Sequence, residues 1–570
     1  MKKATTNMFQ GRRYFVLAVI LLIFVLLFMR AIQLQWLEAE FYEQKGIKTQ
    51  IGVVEMPAHR GVINDRHGEA LAISTPVYSI SANPRVILNN LDSVKLASSI
   101  LQLDEVQLIK KIQQKADKYF VYLKRHVPPD VAEAILEKKI TGISVSEEYR
   151  RYYPAGEMLA HVVGLTNIDG KGIEGVEHAY DDWLHGEPGS KRVIKDGRRQ
   201  VIADVELIEA AKEGRELQLS IDKRIQYLAY RELRHAIQLH AAQSGSVVVL
   251  SVDTGEVLAM TNLPVFNPND RRYAKYNEMR NRAITDRFEP GSTIKPFLIA
   301  AQLESDFTQI QRQIDTAPGY YQYGELEVKD ARDYGRVDLA TLIAKSSNVG
   351  AVKVALSMDP SQIWSIYQAV GFGQLSGSGI TGESEGELKN YSEWNKLQHA
   401  TIAYGYGLST TTLQLARAYS VFANRGVLYP VSFIVQQEKP LGIRVMSAET
   451  AQAVLHMMQA VISAGGTGHR ARMKAYSSAG KTGTSKKSIQ GGYSDTDYVA
   501  LFAGLAPFKQ PKIVVVVMID TPTQNGYAGG QVAAPVFANI AEGTLRLMNV
   551  VPDQINSNEG QMALAVGGVK

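Results

Sequence analysis

Between Tyr14 and Met29 the chain runs for sixteen residues without a charged side chain. Arg30 follows, and Ala31 to Leu37 continues uncharged. This run constrains the fold more than any other. It is apolar on every helical face, so it is not one side of an amphipathic helix, and roughly 20 such residues cross a bilayer. Residues 14–37 reach that length if Arg30 snorkels toward an interface with Trp36 near the head groups. Lys2, Lys3, Arg12 and Arg13 precede the run, and no acidic residue occurs before Glu38. The positive-inside rule predicts residues 1–13 as a cytoplasmic tail, 14–37 as a transmembrane anchor, and everything after about residue 38 as extracytoplasmic. A cleaved signal peptide is the competing reading, but the run is long for one and no clear Ala-x-Ala site follows. Ile513 to Ile519 is also apolar. It is far too short to span as a helix and, being β-branched, reads as a buried strand.

At 570 residues the chain is too long for one ordinary domain. Its 45% hydrophobic and 21% charged content is that of folded globular protein. A net charge of +5, with no Lys/Arg run interleaved with aromatics in the body of the chain, argues against a nucleic-acid partner. The absence of cysteine excludes disulfides, thiol nucleophiles and Cys-ligated metals. Neither HExxH nor GxxxxGK[ST] occurs. His235 and His240, close together on a predicted helix, read as a solvated helix face.

The part after the anchor divides at about residue 215. Residues 41–215 are strand-rich and broken by glycine, with three compact charged signatures: Arg60–Arg66, Arg151–Pro154 and Asp169–Gly175. Glycine supplies positive φ for turns there, and the charges read as buried or bridging salt links rather than as catalytic groups. Residues 216–548 open with an alternating strand, Leu217–Asp222, then a helix, Lys223–His240. A hairpin follows, Ser246–Val252 and Val257–Thr261 around Asp253–Glu256. Two more strands come late, Tyr498–Gly504 and Lys512–Asp520, with helical patterns between. Strands early and late with helices between predict an α+β fold or a three-layer sandwich, with a mostly antiparallel sheet. Residues 549–570 are polar and glycine-containing and read as a mobile tail.

Three short segments carry chemistry. In Glu289-Pro290-Gly291-Ser292-Thr293-Ile294-Lys295-Pro296-Phe297, the Pro-Gly break and the apolar run after it put Ser292 at a helix start, with Lys295 one turn on, on the same face. A serine hydroxyl needs a base, and a lysine amine can be one when burial and nearby cations lower its pKa. The helix N-terminus favours charge developing on the serine oxygen. Alone, S-x-x-K is a weak signal, because an N-cap serine before a surface lysine is common. Lys345-Ser346-Ser347-Asn348 adds S-x-N, in which Ser346 can relay a proton and Asn348 can hold a substrate amide. Lys481-Thr482-Gly483-Thr484 adds K-T-G-T on a predicted strand. Lys481 supplies positive potential, and the hydroxyls of Thr482 and Thr484 can bind a carboxylate. Gly483 permits close approach, and the backbone N–H groups of Ser292 and Thr484 can form an oxyanion hole. The three motifs in this order make a strong combined signal.

With those residues in place the chain resembles the penicillin-binding proteins, whose motif set is S-x-x-K, S-D-N and K-T-G, here with S-S-N in second place. It is most similar to class B, the monofunctional D,D-transpeptidases. Arg60–Arg66 and Arg151–Pro154 resemble landmarks of the class B pedestal, or dimerisation, domain, and Gly465–Gly468 resembles another class B element. Tyr404–Leu408 and Leu413–Tyr419 resemble the FtsI type, the division-specific enzyme of Gram-negative rods. The resemblance implies an α/β/α transpeptidase domain of the serine β-lactamase type with a five-stranded sheet. It implies attack by Ser292 on stem peptides ending in D-Ala-D-Ala, inhibition by β-lactams, and no cofactor. It further implies an inner-membrane, single-pass protein with a periplasmic catalytic domain at the division septum, beside a polytopic septal glycan polymerase and other division-machinery membrane proteins.

Three rivals share parts of this pattern. A β-lactamase or β-lactam sensor would use the same superfold, but the large pedestal and the anchor argue against a lactamase. A non-catalytic division scaffold would have no reason to keep Ser292, Lys295, Asn348 and Lys481 together. A bifunctional class A enzyme would need a glycosyltransferase pattern in the roughly 180 residues after the anchor, and none is seen.

Overall fold

The structure, a computed structural model, describes residues 6–42, 51–195 and 201–554. Residues 1–5, with Lys2 and Lys3, and residues 555–570, most of the C-terminal tail expected from 549, lie outside them. The apolar run forms helix α1 (Thr6–Ile32), continued by a π-helical turn, Gln33–Leu37. From Gly11 to Leu37 it is the one helix among the described residues long and apolar enough to cross a membrane. Its 27 residues extend about 40 Å at ~1.5 Å each, more than the ~30 Å of a bilayer's hydrocarbon.

The chain divides into two compact units. The first comprises residues 1–59, 76–150 and 186–214. It contains a three-stranded antiparallel sheet made by Ile51–Met56, Gly189–Lys195 and Val201–Glu209. The strand content is accompanied by three amphipathic helices, Leu91–Leu101, Glu105–Gln113 and Pro129–Glu137. Each begins at a residue suited to the end: Asn90 and Asp104 accept from backbone N–H groups, and Pro129 stands in the first turn. Val94, Leu101, Leu108, Ile112 and Ile135 meet in one buried cluster with the strand Val121–Val127.

The second unit comprises residues 60–75, 151–185 and 215–570. Two of the three charged signatures join here, through Arg60 and Arg151, as the salt links expected of them. Glu177, fully buried, receives Arg60 Nε on one oxygen and Arg151 Nε on the other, each at 2.6 Å. Arg60 also reaches Asp181 at 2.6 Å. Removing one partner of such a cluster leaves an uncompensated buried charge, at a cost of about 3–5 kcal/mol. The predicted strand Leu217–Asp222 is shorter than expected. Only Leu217–Gln218 pairs, in parallel with Ile63–Asn64, because the chain then changes partner: the N–H of Ser220 donates to Phe433 O, and Asp222 caps the next helix.

That helix, α2 (Lys223–Leu239), precedes a five-stranded, fully antiparallel sheet. Its strands are β1 (Ser244–Ser251), β2 (Val257–Leu263), β3 (Ala479–Ile489), β4 (Gly492–Ala506) and β5 (Ile513–Asp520), in the order β2-β1-β5-β4-β3. The apolar run of β5 follows from this order. It lies between β1 and β4, and its side chains enter two cores in alternation. Val514, Val516 and Met518 share one core with α3 (Lys295–Ser305), α6 (Thr412–Ala423) and α7 (Ala448–Ile462) on one face. Val515, Val517 and Ile519 pack with α2 and α8 (Gly529–Leu547) on the other. This is the α/β/α sandwich anticipated from the strand pattern. His235 and His240 do not form a solvated face together: His240 is buried, its Nδ1 3.0 Å from Gln524 O. Tyr476 Oη donates to Val550 O and Ser477 N–H to Asp553, so the residues just after α8 are fastened to the stretch before β3.

Candidate active site

Pro290 and Gly291 break the chain before α3, and Gly291 takes φ +52°, a conformation glycine adopts without steric cost. The turn Gly291–Ile294 is 3₁₀, and Lys295 then begins α3 with Pro296 in its first turn, where a missing N–H costs nothing. Ser292 lies partly exposed in this turn, while Lys295 is fully buried. Phe297 anchors the helix edge-to-face against Phe372 and Tyr419, and Tyr419 Oη donates to Thr293 O at 2.6 Å. A second glycine fixes the turn from outside: a Cβ on Gly405 would stand 2.1 Å from Gly291 O. The Tyr404–Leu408 segment is thereby a brace for the serine's turn.

S-x-N sits at a helix junction. Ser346 takes the left-handed conformation that ends α4 (Leu339–Lys345), and Ser347 caps α5 (Asn348–Ala355). K-T-G-T lies on β3, at the edge of the sheet. The tertiary structure brings the three together around one hydroxyl. Lys481 Nζ donates to Ser346 Oγ at 2.8 Å, and Lys295 Nζ approaches the same oxygen at 3.2 Å. Lys295 Nζ also donates to Ser346 O at 2.6 Å and to Asn348 Oδ1 at 2.7 Å. The Ser292 hydroxyl has no hydrogen-bond partner among the described residues; contacts between nucleophile and base commonly tighten only when substrate arrives.

Two fully buried lysines near one oxygen set the electrostatics. Burial brings Lys295 down to about 7, against an opposing pull from the Asp330 carboxylate. Burial, and then the charge of Lys295, hold Lys481 well below the usual lysine range. A neutral amine beside a serine is thus available near pH 7, which is what general-base activation of a hydroxyl requires.

Sequence reasoning missed several supports of this site. Asp330 accepts from Ser347 Oγ and from the N–H groups of Asn348 and Val349, so it holds the S-x-N turn from below; no motif spacing marks it. Thr467, in the Gly465–Gly468 element, accepts from Thr482 Oγ1 at 2.9 Å. Gly529 N–H donates to Thr484 Oγ1 at 2.9 Å. The Gly529-Gly530 pair at the start of α8 was a readable signal, since a Cβ on Gly529 would lie 2.2 Å from Gly483 O. Gly483 itself faces the serine's turn, its missing Cβ 2.8 Å from Thr293 Cγ2. Among the described residues no group of His, Asp or Glu side chains is placed to hold a metal ion.

An antiparallel sheet between helical layers, with a serine turn braced against its edge strand and two buried lysines behind, defines an acyl-transfer centre of the active-site-serine class. Comparison with known proteins gives the family. A profile for the penicillin-binding protein transpeptidase domain matches residues 245–542, and one for the penicillin-binding protein dimerisation domain matches 55–219. The chain is 40% identical to the peptidoglycan D,D-transpeptidase FtsI of Escherichia coli over 95% of its own length and 92% of that protein's. It is 38% identical to the probable peptidoglycan D,D-transpeptidase PenA of Neisseria meningitidis, over 97% and 94% of the two chains. Penicillin-binding protein 3 of Mycobacterium tuberculosis, solved with aztreonam, superposes with a TM-score of 0.68 at 28% identity, covering 88% of this chain and 98% of that one. The chain belongs to the class B penicillin-binding proteins, in the branch that includes FtsI and PenA.

Proposed function

We propose that this protein is a peptidoglycan D,D-transpeptidase working through a Ser292 acyl-enzyme. The observation that carries the reading is the convergence of Lys295 and Lys481 on Ser346 Oγ behind the serine's turn. Neutral Lys295 takes the Ser292 proton as the oxygen attacks the penultimate D-alanine carbonyl. The developing oxyanion is received by the backbone N–H groups of Ser292 and Thr484. Asn348 positions the substrate amide, and Ser346 relays a proton to the departing D-alanine. Thr482 and Thr484, backed by Lys481, hold that D-alanine's carboxylate, and Gly483 keeps the strand close to the serine's turn. An amine of a second stem then displaces Ser292, forming the crosslink. β-Lactams enter the first half of this cycle and stall there.

The same reading gives the finer organisation. Residues 1–13 are cytoplasmic, 14–37 anchor the chain in the inner membrane, 41–215 form the pedestal, and 216–548 the periplasmic catalytic domain, followed by a C-terminal tail from residue 549. The anchor and pedestal meet a polytopic septal glycan polymerase and other membrane proteins of the division machinery.

Two measurements test chemistry and setting. Intact-mass analysis after benzylpenicillin should show one long-lived penicilloyl adduct, and rapid loss of the adduct would favour the lactamase reading. Depletion from a rod-shaped host should yield long filaments with unfinished septa, whereas rounded, dividing cells would leave the chemistry intact and overturn the division role. The carboxylate assignment has its own check. Thr484→Ala and Lys481→Ala should slow acylation by a carboxylate-bearing β-lactam more than acylation by its neutral ester, because the ester offers the hydroxyls and the charge less. Equal losses for acid and ester would make the strand's role structural.

A further inference from the structure

The two hydroxyls of K-T-G-T are fixed by different means. Thr484 Oγ1 accepts from Gly529 N–H at 2.9 Å, a backbone donor at the start of α8. A hydroxyl has one proton and two lone pairs, so this bond uses Thr484 as an acceptor and leaves its proton to point outward. Thr482, almost wholly buried, has no such donor behind it. Its oxygen lies 2.9 Å from Thr467 Oγ1, and among the described residues that is its one side-chain hydrogen bond. Thr482 is the donor there, so the proton a carboxylate would need is engaged by Thr467.

Thr467 is itself firmly held. It sits in the turn Gly465–Gly468, between α7 and β3. Its N–H donates to Ala344 O at 3.1 Å, in the last turn of α4. Lys345 Nζ donates to Gly465 O at 2.8 Å, so the turn is tied twice to the helix that leads into S-x-N. From the other side, a Cβ on Gly530 would stand 2.2 Å from Thr467 O, a closeness only glycine permits. Backbone contacts thus set the place of the Thr467 hydroxyl, between the S-x-N helix and the K-T-G-T strand.

We propose that Thr467 is a positioning residue for the leaving D-alanine's carboxylate: it becomes the donor to Thr482 Oγ1 and so frees the Thr482 proton for the anion. The inference rests on the transpeptidase reading and its carboxylate assignment, and deepens them. Both groups are hydroxyls, so the reversal needs two O–H rotations and no movement of a heavy atom. An apolar side chain at 467 could not take part. After reversal Thr482 accepts from Thr467 and donates to the carboxylate, just as Thr484 accepts from Gly529 and donates. Each chain of bonds polarises toward the anion. A hydrogen bond to an ionised acceptor is roughly twice as strong as a neutral one, so the carboxylate's arrival drives the reversal. If Thr467 only pinned β3 to the turn, its loss would be indifferent to the ligand's charge.

The test is the ratio of acylation rates by benzylpenicillin and by its methyl ester. It is read within one full-length protein, so a general loss of acylation cancels. Thr467→Val and Thr467→Ala remove the hydroxyl and should lower the acid-to-ester ratio about 3- to 10-fold, the span of one neutral hydrogen bond. Thr467→Ser keeps the hydroxyl and should restore the ratio. Because Thr467 acts through Thr482, adding Thr467→Val to Thr482→Val should leave the ratio where Thr482→Val alone puts it. A wild-type ratio in Thr467→Val and Thr467→Ala would overturn the positioning role. So would a ratio that Thr467→Ser fails to restore, or a second full loss in the Thr482→Val background. Thr484→Ala and Lys481→Ala separate this from the carboxylate assignment. If they lower the ratio while Thr467→Val does not, the inference alone falls; if they too leave it unchanged, the assignment falls with it.

Discussion

Ser292→Ala should abolish covalent labelling by benzylpenicillin while the protein keeps its fold. The loss is expected to be complete rather than graded, because no other hydroxyl near the lysines can take the serine's place. Ser346 Oγ is engaged by Lys481 and approached by Lys295, and Thr293 Oγ1 donates to Pro290 O at 2.7 Å. The substitution removes one partly exposed oxygen that has no hydrogen-bond partner among the described residues, so unfolding is not expected. Peptide mapping of the wild-type adduct, with a melting curve of the variant, checks both halves. An adduct on Ser346, or labelling that persists in the variant, would end the assignment.

The second large effect concerns the base. Lys295→Ala should slow acylation by roughly 100-fold or more, the usual cost of losing general-base assistance. The pH dependence carries the sharper test. Burial brings Lys295 to about 7, and lysine is a base only when neutral. The wild-type acylation rate should therefore fall as pH drops below about 7, as the amine is protonated, and level off above it. Because Lys295 and Lys481 approach the same Ser346 oxygen, the inflection belongs to the pair, and replacing either lysine should move it. Stopped-flow acylation between about pH 5 and 9 reads this directly. An unchanged inflection in Lys295→Ala would assign the proton to another group.

Much of the site could be read from residue order alone. Ser292 and Lys295 are three apart, and Pro-Gly followed by an apolar run is enough to predict a serine at a helix start with its lysine one turn on. Ser346 and Asn348, and Lys481 to Thr484, were each legible as short motifs. Asp330 was not legible, because a lone carboxylate sixteen residues before Ser346 has no local signature. Its role exists only where the hairpin ending at Lys329 meets the start of α5. Glu289 and Thr467 were in view as letters of their motifs, but their partners lie 204 and 15 residues away.

The sequence by itself determined the local and periodic features. Sixteen uncharged residues marked the long apolar helix, alternation and β-branching marked strands, and an apolar run too short to span a membrane marked β5 as a buried strand. These depend on neighbours a few residues apart, and hydrophobic period and turn chemistry are written at that range. Only the tertiary structure decided that Lys295 and Lys481, 186 positions apart, share one serine oxygen, and that both are fully buried. Burial and charge proximity are properties of three-dimensional distance, and they pull both amines below the usual lysine range.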